Sequence, residues 1–174
     1  MKYVIKKGKH YSKFNLARLF PFIRLPLQQE IKFDKHCWYD IDSVEYTGYN
    51  KLTGVSGLNI HKNSARFVWQ PDFHTYGIIK LYGYVYSDGG HWKDVYLCSV
   101  KTDTRFKVEI QYINNGWQFK VYVDGRNTIE VYTKFMVGTK PKGICKYLFK
   151  AFPYFGGKSV APKDIIVYVK KSRI

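Results

Sequence analysis

The sequence predicts an all-β fold, two antiparallel sheets packed face to face, and three observations carry that reading. Aromatic residues make up 18% of the chain, with 16 Tyr and 12 Phe, and these types pack well on a pleated surface. From about residue 58 onward, short runs of alternating apolar and polar residues recur at the spacing of sandwich strands, with turn residues between them. Between two of these runs stands Asn115-Gly116, a pair suited to the type I′ turn of a tight hairpin. At 174 residues the chain can bury a core without metals or disulfides, and it needs only one domain.

Taken in chain order, residues 1–27 form a basic N-terminal arm or edge segment ahead of a sandwich domain over 28–174. A strand-like KYVIKK is followed by GKHYSKFNLARLFPFIRLPL, where basic and bulky apolar residues mix and Pro21 and Pro26 prevent a helix. If the arm docks on a neighbour, the contacts expected are Phe14, Leu16, Leu19, Phe20, Phe22 and Ile23, with Lys13, Arg18 and Arg24 meeting acidic groups. QQEIKFD reads as a strand, and HCWYDIDSVEYTGYNKLTGVSG as a long surface loop without a period. Further strands are expected at 58–69, 76–87, 92–101, 104–114, 117–123, 127–137, 143–151 and 163–171.

The central hairpin fixes a register. With Asn115-Gly116 as the turn, Tyr112 stands opposite Phe119, Ile110 opposite Val121 and Val108 opposite Val123, so one face is apolar. An odd-length loop at Asp124-Gly125-Arg126 would bring Ile129 and Val131 onto that same core face. The reverse face then carries Lys107, Glu109, Gln111, Gln118, Lys120, Tyr122, Glu130, Tyr132 and Lys134. Carboxylates, amides, phenols and amines on one sheet are what sugar recognition uses, since hydroxyls bond planar polar groups while rings stack on aromatics. In IIKLYGYVYSDGG, Lys80, Tyr82, Tyr84 and Tyr86 share one side, with Ile79, Leu81 and Val85 on the other.

Charge and cysteines set the outer bounds. Lys and Arg number 29 against 13 Asp and Glu, a net charge of +16 that attracts polyanions or acidic protein surfaces. Cys37, Cys98 and Cys145 stand far apart without a C-x-x-C pair, so reduced thiols are expected, with no zinc site or disulfide framework. His10, His36, His61, His74 and His91 have no metal-ligand spacing, and no phosphate-binding loop or dinucleotide fingerprint occurs. No cofactor and no membrane span are expected. The opening MKYVIKKGKHYSKF lacks the apolar core of a secretory signal, which points to folding in a cytoplasm.

The C-terminal run FPYFGGKSVAPKDIIVYVKK, residues 152–171, and the strand NSARFVW with Arg66 on its polar side resemble segments of concanavalin A-like sandwiches related to polysaccharide lyases. The layout also resembles small β-sandwich proteins of gut Bacteroidetes and their bacteriophages. The resemblance implies a jelly roll and a sugar-sized site on a sheet face, for which Arg66, Glu109, Gln111, Lys120, Tyr122, Glu130 and Tyr132 are the candidate ligand-binding residues. The lyases' Gln-x-His becomes Gln111-Tyr112-Ile113 here, and their terminal tyrosine-lysine segment is missing. The glucanases' pair of carboxylates on one strand is also missing.

The expected function is therefore a non-enzymatic interaction or structural subunit, of a bacteriophage particle, with lectin-like glycan binding as an added role. Its partners would be other subunits of the assembly. A polysaccharide lyase or glycoside hydrolase using the polar face is the alternative, and nucleic-acid binding through the basic surface is the third.

Overall fold

The computed structural model describes residues 1–13, 22–40, 48–57, 63–87, 91–125, 128–141 and 148–172. Two six-stranded antiparallel sheets face each other in a β-sandwich. The first has the order β1 (Lys2–Ile5), β12 (Ile165–Lys171), β3 (Leu27–Phe33), β8 (Arg105–Ile113), β9 (Gly116–Asp124), β10 (Ile129–Val137). The second runs β2 (Phe22–Ile23), β11 (Leu148–Ala151), β4 (Asn50–Ser56), β5 (Ser64–Pro71), β6 (Ile78–Ser87), β7 (His91–Lys101). No helix among the described residues is long and apolar enough to cross a membrane.

Alternation places the core between the sheets. From the second sheet come Ala65, Phe67, Trp69, Ile79, Leu81 and Val85; from the first come Ile31, Phe33, Val108, Ile110, Phe119 and Val121, all essentially inaccessible. Phe67 meets Phe119 edge to face at 5.3 Å, and a Cβ at Gly83 would lie 2.9 Å from the Phe119 ring, so only glycine fits beneath it. Each such aromatic contributes roughly 1.5–3 kcal/mol by burial. One polar bond crosses the core, Thr53 Oγ1 to Gln29 Oε1 at 2.7 Å.

Residues 1–27 supply an edge strand to each sheet. β1 pairs with β12 and buries Tyr3 and Ile5, while the chain's amino group donates to the Val169 carbonyl at 2.7 Å. β2 pairs with β11.

The central hairpin turns one residue earlier than the sequence reading put it. Asn114 and Asn115, both with positive φ (48° and 57°), form the two-residue loop, because asparagine tolerates the left-handed region that type I′ requires. Tyr112 therefore faces Trp117, Ile110 faces Phe119 and Val108 faces Val121. This is a slip of two positions, so the face of every side chain on β8 and β9 is kept.

The next turn is corrected more deeply. Asp124 pairs with Ile129 across a four-residue loop, not an odd one, with Gly125 N donating to Thr128 O at 2.8 Å. That reverses β10: Glu130, Tyr132, Lys134 and Met136 share the side of Val121 and Phe119, while Ile129 and Val131 point outward and are exposed. An edge strand is open on its free side, so its β-branched residues were not compelled inward.

The expected loop over 36–57 also contains an unforeseen strand. β4 is buried along most of its length, carries a bulge between Lys51 and Thr53, and includes Gly54, so it shows no alternation. A Cβ at Gly54 would sit 2.3 Å from the Ala65 carbonyl oxygen and 2.6 Å from Arg66 Cα.

Candidate functional site

The polar residues predicted to act together fall on different surfaces. Glu109, Gln111, Lys120 and Tyr122 do share the outer face of the first sheet. There Lys120 Nζ lies 3.1 Å from Glu109 Oε1, Gln28 Nε2 donates to Glu109 Oε2 at 2.6 Å, and Gln111 Nε2 donates to Gln118 Oε1 at 2.5 Å. Glu109 is 6% exposed and its two oxygens are both engaged; the hydrogen bond it accepts raises the Lys120 pKa. Glu109, Lys120, Gln111 and their partners Gln28 and Gln118 are already engaged with one another.

Glu130 and Tyr132 are not part of it. The reversal of β10 turns them toward the β7 side, where the Tyr132 hydroxyl donates to Glu130 Oε2 at 2.5 Å and is held protonated by that bond. Arg66 is absent from it as well, because β5 belongs to the second sheet. Of the docking residues, Lys13, Phe22 and Arg24 are exposed, and Phe22 packs on Phe149 at 5.3 Å. Phe14, Leu16, Arg18, Leu19 and Phe20 lie outside the described residues.

Arg66 instead anchors a cleft on the outer face of the second sheet. The cavity, about 440 Å³, is lined by Tyr11, Lys51, Arg66, Tyr86, Lys150, Ala151, Phe152, Pro153, Tyr154 and Gly157. Two neighbouring strands supply the cations of this face, Lys51 from β4 and Arg66 from β5; Lys150 of β11 also borders the cavity, but it pairs with the core-facing Val55 and its Nζ stands 5.6 Å from the Phe152 ring. Arg66 is only 4% exposed; its Nε donates to Ser64 Oγ at 3.1 Å, and its guanidinium lies 5.8 Å from the Tyr84 ring centre and 5.6 Å from that of Tyr86. Lys51 Nζ donates to the Tyr49 carbonyl at 2.7 Å and stands 5.1 Å over the Tyr84 ring.

Burial and the nearby Arg66 charge lower the Lys51 pKa to about 8, and burial lowers that of Lys150. No acidic side chain occurs among the described residues of the lining. Lys51 has given up water with no carboxylate among the described lining residues to offset it, which is the electrostatics of an anion site.

Tyr11, Tyr86, Phe152 and Tyr154 complete the lining, and further rings pack beside them. On β6, Tyr82, Tyr84 and Tyr86 project from one side as the alternation required, and Tyr49 packs on Tyr82 at 4.8 Å. Tyr84 stacks on Trp92 at 5.4 Å. At the rim Tyr154 is bridged to both Tyr11 and Lys51, with the Tyr11 and Tyr154 rings 4.7 Å apart and His10 stacked on Tyr154 at 5.5 Å.

The YFGG segment explains how that rim is held. A Cβ at Gly156 would lie 1.9 Å from the Tyr49 carbonyl oxygen, Gly157 takes φ +82°, and Gly156 N donates to the buried Asn50 Oδ1. The two glycines let the loop lie flat on the start of β4, which sets Tyr154 over the cleft.

Sequence reasoning named Arg66 but missed Lys51, Lys150, Tyr11 and Tyr154. The YFGG run was the available signal, since a glycine pair beside an aromatic marks a close backbone approach. No three His, Cys, Asp or Glu side chains among the described residues are placed to hold a metal ion. Compared with known proteins, the chain matches no protein-family model and no curated sequence.

Proposed function

We propose that the chain is a non-enzymatic binding module whose second-sheet cleft takes an acidic sugar, a uronate or sulfated unit of a polysaccharide. The observation that carries this reading is the convergence of Arg66 and Lys51 on one aromatic-walled cavity whose described lining holds no acid. A guanidinium fork matches a carboxylate or sulfate in two hydrogen bonds, while lysines contribute compact charge. Tyr11, Tyr86 and Tyr154 offer rings on which a sugar can lie. The volume is within the roughly 300–1,000 Å³ of small-molecule sites.

Elimination chemistry on a uronate needs a base able to take a proton near neutral pH. Burial raises the phenols of Tyr84 and Tyr154, which makes both poor bases, and Lys51, with its pKa at about 8, is mostly protonated at neutral pH and serves there as a cation. These protonation states favour binding over turnover.

The test is titration calorimetry of the full chain with oligogalacturonate, neutral dextran and a single-stranded oligonucleotide. Oligogalacturonate should bind with high micromolar affinity and yield no unsaturated product, and dextran should not bind. Lys51→Gln and Tyr11→Ala should each weaken the acidic ligand about tenfold. Equal binding of the oligonucleotide, abolished by the same substitutions, would replace the sugar reading with a nucleic-acid one; absence of any binding would end both.

A further inference from the structure

β10 is the open edge of the first sheet, and it is unlike the other three sheet edges. β1 has four residues, β2 has two, and β7 is bulged against β6 between Leu81 and Tyr82. β10 runs nine residues in unbroken register with β9, without a proline to turn away a second strand. Its outward side carries Ile129, Val131, Phe135 and Val137 at 62, 50, 46 and 74% exposure, an apolar row along a free edge. The Phe135 ring is fixed by its seat on Gly116, where a Cβ would lie 2.3 Å from it.

We propose that β10 pairs antiparallel with β10 of a second copy about a two-fold axis at Tyr132, making one continuous sheet of the two. The charge pattern selects this register. With Tyr132 opposite its counterpart, Glu130 of each copy faces Lys134 of the other, and the two-fold axis forms both ion pairs at once.

The same register sets Ile129 opposite Phe135 and Val131 opposite Thr133 on the outward side, so the two apolar rows merge. A slip of two residues in one direction places Glu130 against Tyr132, and in the other Lys134 against Tyr132, so both ion pairs are lost. Backbone amides and carbonyls on the open side of β10 also acquire partners.

Sedimentation equilibrium of the full chain tests this. The parent chain should be a dimer at micromolar concentration. Glu130→Lys and Lys134→Glu each set like charges opposite one another twice and should raise the dissociation constant at least about tenfold, with circular dichroism unchanged. Mixing the two single variants should restore a heterodimer, and combining both substitutions in one chain should restore the homodimer. A monomer throughout, a dimer indifferent to either single substitution, or failure of the mixture and the double variant to recover would overturn the proposal.

Discussion

The two outer faces of the sandwich are built from the same kinds of residue and reach opposite electrostatic states. On the first sheet Lys120 stands directly opposite Glu109, Gln28 covers the other carboxylate oxygen, and Gln111 bonds Gln118. Those side chains are engaged with one another. On the second sheet Lys51 and Arg66 converge on a cavity without an acid in its described lining, with the Tyr84 and Tyr86 rings against them. The difference teaches that a polar sheet face rich in candidate ligands is not thereby a site. A site is where the fold leaves charge concentrated and enclosed, at a cost in stability that a bound ligand can offset.

The comparison can be broken most forcefully at Gly54. Gly54→Ala puts a methyl within 2.3 Å of the Ala65 carbonyl oxygen and against Arg66, so β4 must part from β5 under the cleft. A loss of about 3 kcal/mol in denaturant unfolding is expected, together with loss of acidic-sugar binding. The ion pair on the first sheet should survive.

A smaller effect is expected on that first sheet. Lys120→Met leaves the Glu109 carboxylate, 6% exposed, without its cation and should cost about 1–3 kcal/mol. Acidic-sugar affinity should be unchanged.

The pH dependence sharpens the contrast further. Lys51 titrates near 8 in the folded chain against an ordinary 10.5, so between these values the unfolded chain holds the extra proton. This lysine therefore makes stability rise with pH across that window, and its penalty is fully present below about 8. Acidic-sugar affinity should move the other way, falling as pH passes 8 and Lys51 loses its charge. Parallel urea titrations and calorimetry from pH 6.5 to 10 would show the two trends crossing.

How much of this was legible in the sequence depends on whether one side of an element was forced inward. β3, β8 and β9 alternate because one face meets the core, and the faces of β8 and β9 match the sequence reading even though the hairpin register was two positions out. β10 could not be oriented that way, since an exposed edge gives Ile129 and Val131 no reason to turn in. β4 was hidden by its bulge and by Gly54, both of which serve the close approach to β5. The cleft was not legible because Tyr11, Lys51, Lys150 and Tyr154 come from separate stretches of sequence, and only the pairing of β4 with β11 and the bridges of Tyr154 bring them together.

The opposed electrostatics of the two faces is tested most directly by one pair of unfolding curves at pH 6, for Lys51→Met and Lys120→Met against the parent chain. Removing Lys51 relieves a buried cation beside Arg66 and should stabilise the fold by about 0.5–1 kcal/mol, in the range of gains seen when functional strain is removed. Removing Lys120 should destabilise it. Opposite signs are the result predicted; equal signs, with Lys51→Met as costly as Lys120→Met, would mean that the cleft cations are structurally compensated and would contradict the reading of that cleft as an anion site.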